Sequence, residues 1–89
     1  MKILKFGAIW CPGCLVMRPL WKKLEEDNSW LITEYFDFDK DKEAVANYKI
    51  DTKLPVFIFL GSDGGELHRI QGERSKKEIV ELINQYREQ

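Results

Sequence analysis

A single α/β domain, one mixed sheet with helices on both faces, is the fold class this chain predicts, and three observations carry it. Eighty-nine residues suffice for one domain, residues 1–89, with one efficiently built core. Two segments repeat apolar residues at i, i+3, i+4, i+7, the spacing of a helix with a single buried stripe. Around them lie short runs rich in aromatic and β-branched residues, which read as strands.

Lys2 to Ile9 holds Ile3, Leu4, Phe6 and Ile9 and reads as a first strand running into a cysteine-containing loop. A helix follows from Pro12, which suits a first helical position, with Met17, Leu20, Trp21 and Leu24 as its core stripe and an end near Glu25-Glu26-Asp27-Asn28. Pro19 inside it removes one backbone donor and predicts a kink. Leu31 to Phe38 is a second strand, and Lys42 to Lys49 a short helix with Ala44, Val45 and Tyr48 on its buried face. Pro55 to Leu60 is almost continuously apolar, as a strand covered on both faces requires. Gly61 to Gly65 makes a hairpin loop into Glu66 to Gln71. Ser75 with Glu78 forms a capping box before Ile79, Leu82, Ile83 and Tyr86, the stripe of the last helix. The order β-α-β-α-β-β-α implies a parallel first crossover, an antiparallel hairpin and a four-stranded mixed sheet.

Composition narrows the function. Hydrophobic residues at 44% and charged residues at 33% describe an ordinary globular protein. No apolar run approaches the roughly 20 residues needed to span a bilayer, and the lysine-interrupted N-terminus does not read as a signal peptide. A cytoplasmic location is the expectation. A net charge of −1 with interspersed signs offers no footprint for nucleic acid or an anionic membrane. The two cysteines lie three apart in Trp10-Cys11-Pro12-Gly13-Cys14, too short a loop for effective stapling. A closed zinc site needs about four ligands, and His68 is the only histidine; it reads as a surface strand residue. If the helix starts at Pro12, the Cys11 sulfur faces unpaired N–H groups and the positive end of the helix dipole, which favour thiolate. Cys14 is one turn away.

The chain resembles the thioredoxin superfamily. Trp10-Cys11-x-x-Cys14 is similar to its redox motif, Pro19 to its helix-kinking proline, and Leu54-Pro55 to its cis-proline. The hairpin from Gly61 to Glu66, then Gly72 and the Ser75-capped helix, complete a likeness over nearly the whole chain. The extra N-terminal strand and helix of full-length thioredoxins look absent, leaving a glutaredoxin-sized core. Proline precedes glycine between the cysteines, as in glutaredoxins. The family's buried aspartate, six residues before the first cysteine, is replaced by Lys5, and its lysine partner falls at Tyr35. Lys5 and Tyr35 are therefore candidates for tuning the thiols in place of the usual acid/base pair.

The resemblance implies a thiol-disulfide oxidoreductase that reduces protein disulfides and uses no cofactor beyond the Cys11-Cys14 couple. Cys11 is expected to be the more exposed sulfur and the nucleophile, and Cys14 the more buried, resolving thiol. Trp10, Pro12, Gly13, Leu54 and Pro55 are the expected substrate-facing residues. Gly13 would admit a partner closely, and the Leu54 backbone would pair with an extended substrate. A thioredoxin-reductase-like enzyme or a small thiol would supply electrons, and the chain is expected to act as a monomer. Lys5 either raises the thiolate fraction or simply packs its stem on the sheet with its head in water. Glu25-Glu26-Asp27 reads as a solvated charge run, mildly unfavourable at that helix end. The alternatives are a glutaredoxin-type activity on glutathione, or a non-catalytic binding or metal-transfer module.

Overall fold

The structure, a computed structural model, describes residues 1–88; Gln89, the end of the expected domain, lies outside them. Four strands and three helices alternate as β1 (Lys2–Gly7), α1 (Pro12–Asp27), β2 (Ile32–Asp37), α2 (Lys42–Asn47), β3 (Val56–Leu60), β4 (Glu66–Gln71) and α3 (Lys76–Tyr86). The strands form one sheet in the order β2-β1-β3-β4. β1 runs parallel to β2 and antiparallel to β3, and β3 pairs antiparallel with β4. The expected mixed sheet is therefore present, with β1 and β3 at its centre.

Alternation along the two central strands divides the core. Ile3, Phe57 and Phe59 face one side, where Met17, Trp21 and Leu24 of α1 and Ile79 and Ile83 of α3 cover them. Leu4, Phe6, Val56, Ile58 and Leu60 face the other, beneath Ala44 and Val45 of α2 and Tyr48 just after it. All five residues of β3 are buried because their side chains feed both layers in turn. Trp21 to Phe57 joins α1 to the sheet and Phe6 to Phe36 joins β1 to β2, each pair with ring centroids 5.1 Å apart.

The helix ends follow their sequence signals. Asn28 closes α1 with both its backbone N–H and its side-chain amide donating to the Leu24 carbonyl, at 3.0 and 2.9 Å. Ser75 caps α3, its Oγ accepting from the Glu78 N–H at 3.2 Å and donating to the Glu78 carboxylate at 3.4 Å. α1 continues through Pro19. Strand ends differ from expectation by a residue or two. β1 stops at Gly7, and Ile9 stands 75% exposed on a turn instead of extending the strand. A lone apolar residue after two small ones cannot mark a strand end. α2 also ends early, at Asn47, followed by Lys49 at φ 55°.

Truncating Phe59, fully buried between α1 and α3, should cost about 3–5 kcal/mol. Ser75→Ala, which removes only a cap, should cost about 1 kcal/mol. Urea unfolding of the two variants beside the parent checks both the magnitudes and their order.

Candidate active site

β1 delivers the chain to the sheet's upper edge at Gly7, and a turn closed by the Cys11 N–H donating to the Ala8 carbonyl (3.2 Å) sets Cys11 before α1. Cys11 is the N-cap residue, with extended backbone at φ −93°, ψ 112°, and Pro12 fills the first turn, where a missing N–H costs nothing. The Cys11 Sγ accepts from the Cys14 N–H at 3.2 Å. No acidic side chain occupies the first turn, so the positive end of the dipole is left to the sulfur. Both cysteines are free thiols.

The two thiols differ, though not in the way the motif alone suggests. Cys11 is only 4% exposed, whereas Cys14 is half-buried. The expectation that Cys11 is the more exposed residue is thus corrected. Its sulfur turns inward to cap its own helix, and that hydrogen bond draws it against the first turn. Burial, then the hydrogen bond with Cys11, pushes the Cys14 thiol up to about 12.

Trp10 is half exposed beside the motif, held by its indole Nε1–H donating to Asp39 Oδ2 at 2.7 Å and by an edge-on contact with Phe38. Asp39 was not legible as a site residue, since it lies in a turn 29 residues away. The Leu54-Pro55 bond is cis. Leu54 already donates its N–H to the Thr52 carbonyl, and the Pro55 carbonyl accepts from Gly72, which sits at φ 86°. Gly13 packs closely against this surface: a Cβ there would come within 3.2 Å of the Pro55 ring and 3.3 Å of the Glu73 side chain. Pro12 is exposed at the mouth of this surface.

Lys5 does not send its head into open water. Its Nζ binds Glu25 Oε2 at 2.6 Å, with the two side chains only 17% and 34% exposed, and lies 5.7 Å from the Trp21 ring centroid. Glu25 therefore leaves the solvated charge run in which its neighbours placed it, while Asp27 pairs with Lys23 at the surface. Helical spacing carries Glu25 onto the flank of the Trp21 stripe, a signal that was present but outweighed by three consecutive acids. Tyr35 stands opposite Lys5 in the β1-β2 register. A Cβ on Gly7 would meet both the Cys14 sulfur at 3.2 Å and the Tyr35 hydroxyl at 3.3 Å, so these groups converge above Gly7. Burial, then Asp37, raises the Tyr35 phenol pKa. His68, on β4, stacks on Tyr86 at 5.7 Å and is far from this cluster in the fold.

The Thioredoxin family profile matches residues 1–85. This chain belongs to the thioredoxin family. It is 29% identical over 84 residues to thioredoxin of Chlamydia caviae, covering 94% of this chain and 80% of that one. It is 31% identical over 83 residues to human thioredoxin-related transmembrane protein 1, covering 92% of this chain but only 29% of that protein. The X-ray structure of Fasciola hepatica thioredoxin superposes with a TM-score of 0.86 at 28% identity, covering 96% of this chain and 79% of that one. Among the described residues no helix is long and apolar enough to cross a membrane.

The raised Cys14 pKa makes this protein's stability depend on pH in a defined direction. A thiol protonated more firmly in the folded state adds stability below its ordinary value of 9.0, and that contribution is lost as pH rises toward about 12. Stability should therefore fall faster from pH 9 upward in the parent than in Cys14→Ser. Denaturation of both proteins across that range tests the sign, and parallel curves would refute it.

Proposed function

We propose that this chain is a thiol-disulfide oxidoreductase that reduces protein disulfides by dithiol exchange. The observation that carries the reading is the Cys11 sulfur at the N-terminus of α1, accepting the Cys14 N–H, with Cys14, its thiol pKa raised by burial, one turn away. The Cys11 thiolate attacks a substrate disulfide; a Cys11-substrate bond forms and the first substrate sulfur leaves as a thiolate that takes up a proton. Cys14 then loses its proton and attacks the Cys11 sulfur. The Cys11-Cys14 bond forms, and the second substrate sulfur departs and is protonated. The substrate has gained two electrons and the motif has lost them.

The surface around the sulfur suits an extended substrate. Trp10 is fixed by Asp39, and Gly13, Pro55 and Glu73 meet in a close-packed floor. With its N–H committed to Thr52, Leu54 offers its carbonyl to a substrate strand. Reduction of the spent disulfide falls to a thioredoxin-reductase-like enzyme or a small thiol, and the chain works as a monomer in a reducing compartment such as the cytoplasm.

Cys11→Ser should abolish reduction of a protein disulfide such as that of insulin. Cys14→Ser should instead trap a mixed disulfide through Cys11, visible on a non-reducing gel. Absence of turnover in the parent would reject the enzyme reading, and a strong preference for a glutathione mixed disulfide would replace it with a glutaredoxin-type activity.

A further inference from the structure

The residues that flank the motif on the cis-proline side are small or apolar, with one exception. Pro12, Gly13, Leu54 and Pro55 carry no charge, whereas Glu73 does. The Gly72 N–H donates to the Pro55 carbonyl at 2.7 Å and Gly72 turns at φ 86°, so the chain is fixed against Pro55 immediately before Glu73. The Glu73 side chain then lies against Gly13: a Cβ on that glycine would meet both its Cγ and its Oε1 at 3.3 Å, and the Pro55 ring at 3.2 Å. Glu73 is exposed, so its carboxylate stands open to solvent between the first turn of α1 and the cis-proline.

Among the described residues no cation lies within ion-pair distance of that carboxylate. Arg74, next in sequence, is turned the other way: its guanidinium donates to the Glu73 carbonyl at 2.9 Å and approaches the Glu78 carboxylate at 3.7 Å. Asp39, beside the motif, is committed through Oδ2 to Trp10. We infer that Glu73 is a specificity-determining residue for the exchange reaction, selecting disulfides with a lysine or arginine within a residue or two of the attacked cysteine and disfavouring anionic ones, glutathione mixed disulfides included. The inference rests on the dithiol-exchange reading. Gly13 is two residues beyond Cys11, and a substrate strand advances about 3.3 Å per residue, so the flexible stem of a neighbouring lysine or arginine spans the interval. Glu73 exchanges no proton or electron with the substrate. Bonds form and break at the Cys11, Cys14 and substrate sulfurs, and the carboxylate acts on encounter and binding.

Disulfide-bridged peptides of one length, differing only in a Lys, Gln or Glu beside each cysteine, test this by kcat/KM at low salt. Attraction in one case and repulsion in the other should give the parent a Lys-over-Glu ratio of roughly fivefold. Glu73→Gln should bring that ratio near unity and Glu73→Lys should reverse it, whereas Glu73→Asp keeps the charge and the sign. Salt at about 0.5 M should compress the parent's ratio by screening. A parent without preference, or a ratio that Glu73→Gln leaves unchanged, overturns the inference; an equal loss on every peptide is such an unchanged ratio and reports packing against Gly13 instead. If Glu73→Gln does not fold, the parent's ratio against salt decides, and a ratio insensitive to salt is the overturning result. Reduction of the Gln peptide by the parent separates the two readings: its absence rejects dithiol exchange itself, and its presence without charge preference rejects only the role of Glu73.

Discussion

The hydrogen bond from the Cys14 N–H to the Cys11 sulfur is the interaction on which the rest of this site depends, because it makes one atom both helix cap and reactive group. Caps are usually oxygen acceptors, and a neutral thiol is a weak substitute. Ionising the sulfur strengthens the same bond and places a full negative charge at the positive end of α1. The start of α1 and the chemistry of the motif therefore share one atom. The first turn holds no competing carboxylate, and Pro12 presents no N–H, so the cap falls to the sulfur.

The inward turn that makes this cap also buries Cys11, which shifts the explanation of its reactivity. Accessibility ranks the two thiols in the reverse of the expected order, so what surrounds each sulfur carries the explanation. Cys11 has a hydrogen-bond donor and a helix dipole aimed at it. Cys14 is penalised by burial and by donating its own side chain to the neighbouring sulfur. A substrate must then reach a nearly enclosed atom, and the exposed residues around it, Trp10 and Pro12, are what an incoming strand meets first.

Most of the fold was legible because it is written in periodicity. The stripes of α1 and α3, the doubly buried run of β3, the glycine hairpin and the Ser75 cap each express a local rule that the tertiary structure does not override. The motif's place at a helix start was legible for the same reason. What escaped the sequence depends on side-chain direction and on distant partners. The burial of Cys11 goes with its capping of α1, the exposure of Ile9 with where a turn begins, and the Trp10-Asp39 bond with residues 29 apart. Glu25 was read with its neighbours as solvated, yet only the rotation of α1 distinguishes it from Glu26. The close packing of Gly13 against Pro55 and Glu73 likewise depends on residues far along the chain.

The Lys5-Glu25 pair shows how a charge inside the α1 layer constrains the elements around it. Lys5 occupies the row between fully buried Ile3 and side-chain-free Gly7, so its stem must lie under α1, and an enclosed ammonium without a partner would be costly. Glu25 answers that need from the last turns of the helix, where the dipole disfavours a carboxylate, so its position there is better explained by the ion pair than by local helix preference. Because both groups keep part of their surface in water, the pair adds modestly to stability and the desolvation cost stays moderate. Its larger consequence is geometric. It ties the far end of α1 to β1 on one side of Trp21, while the Cys14 contact with Gly7 ties the near end on the other, and the helix carrying both cysteines is held at two points on a single strand.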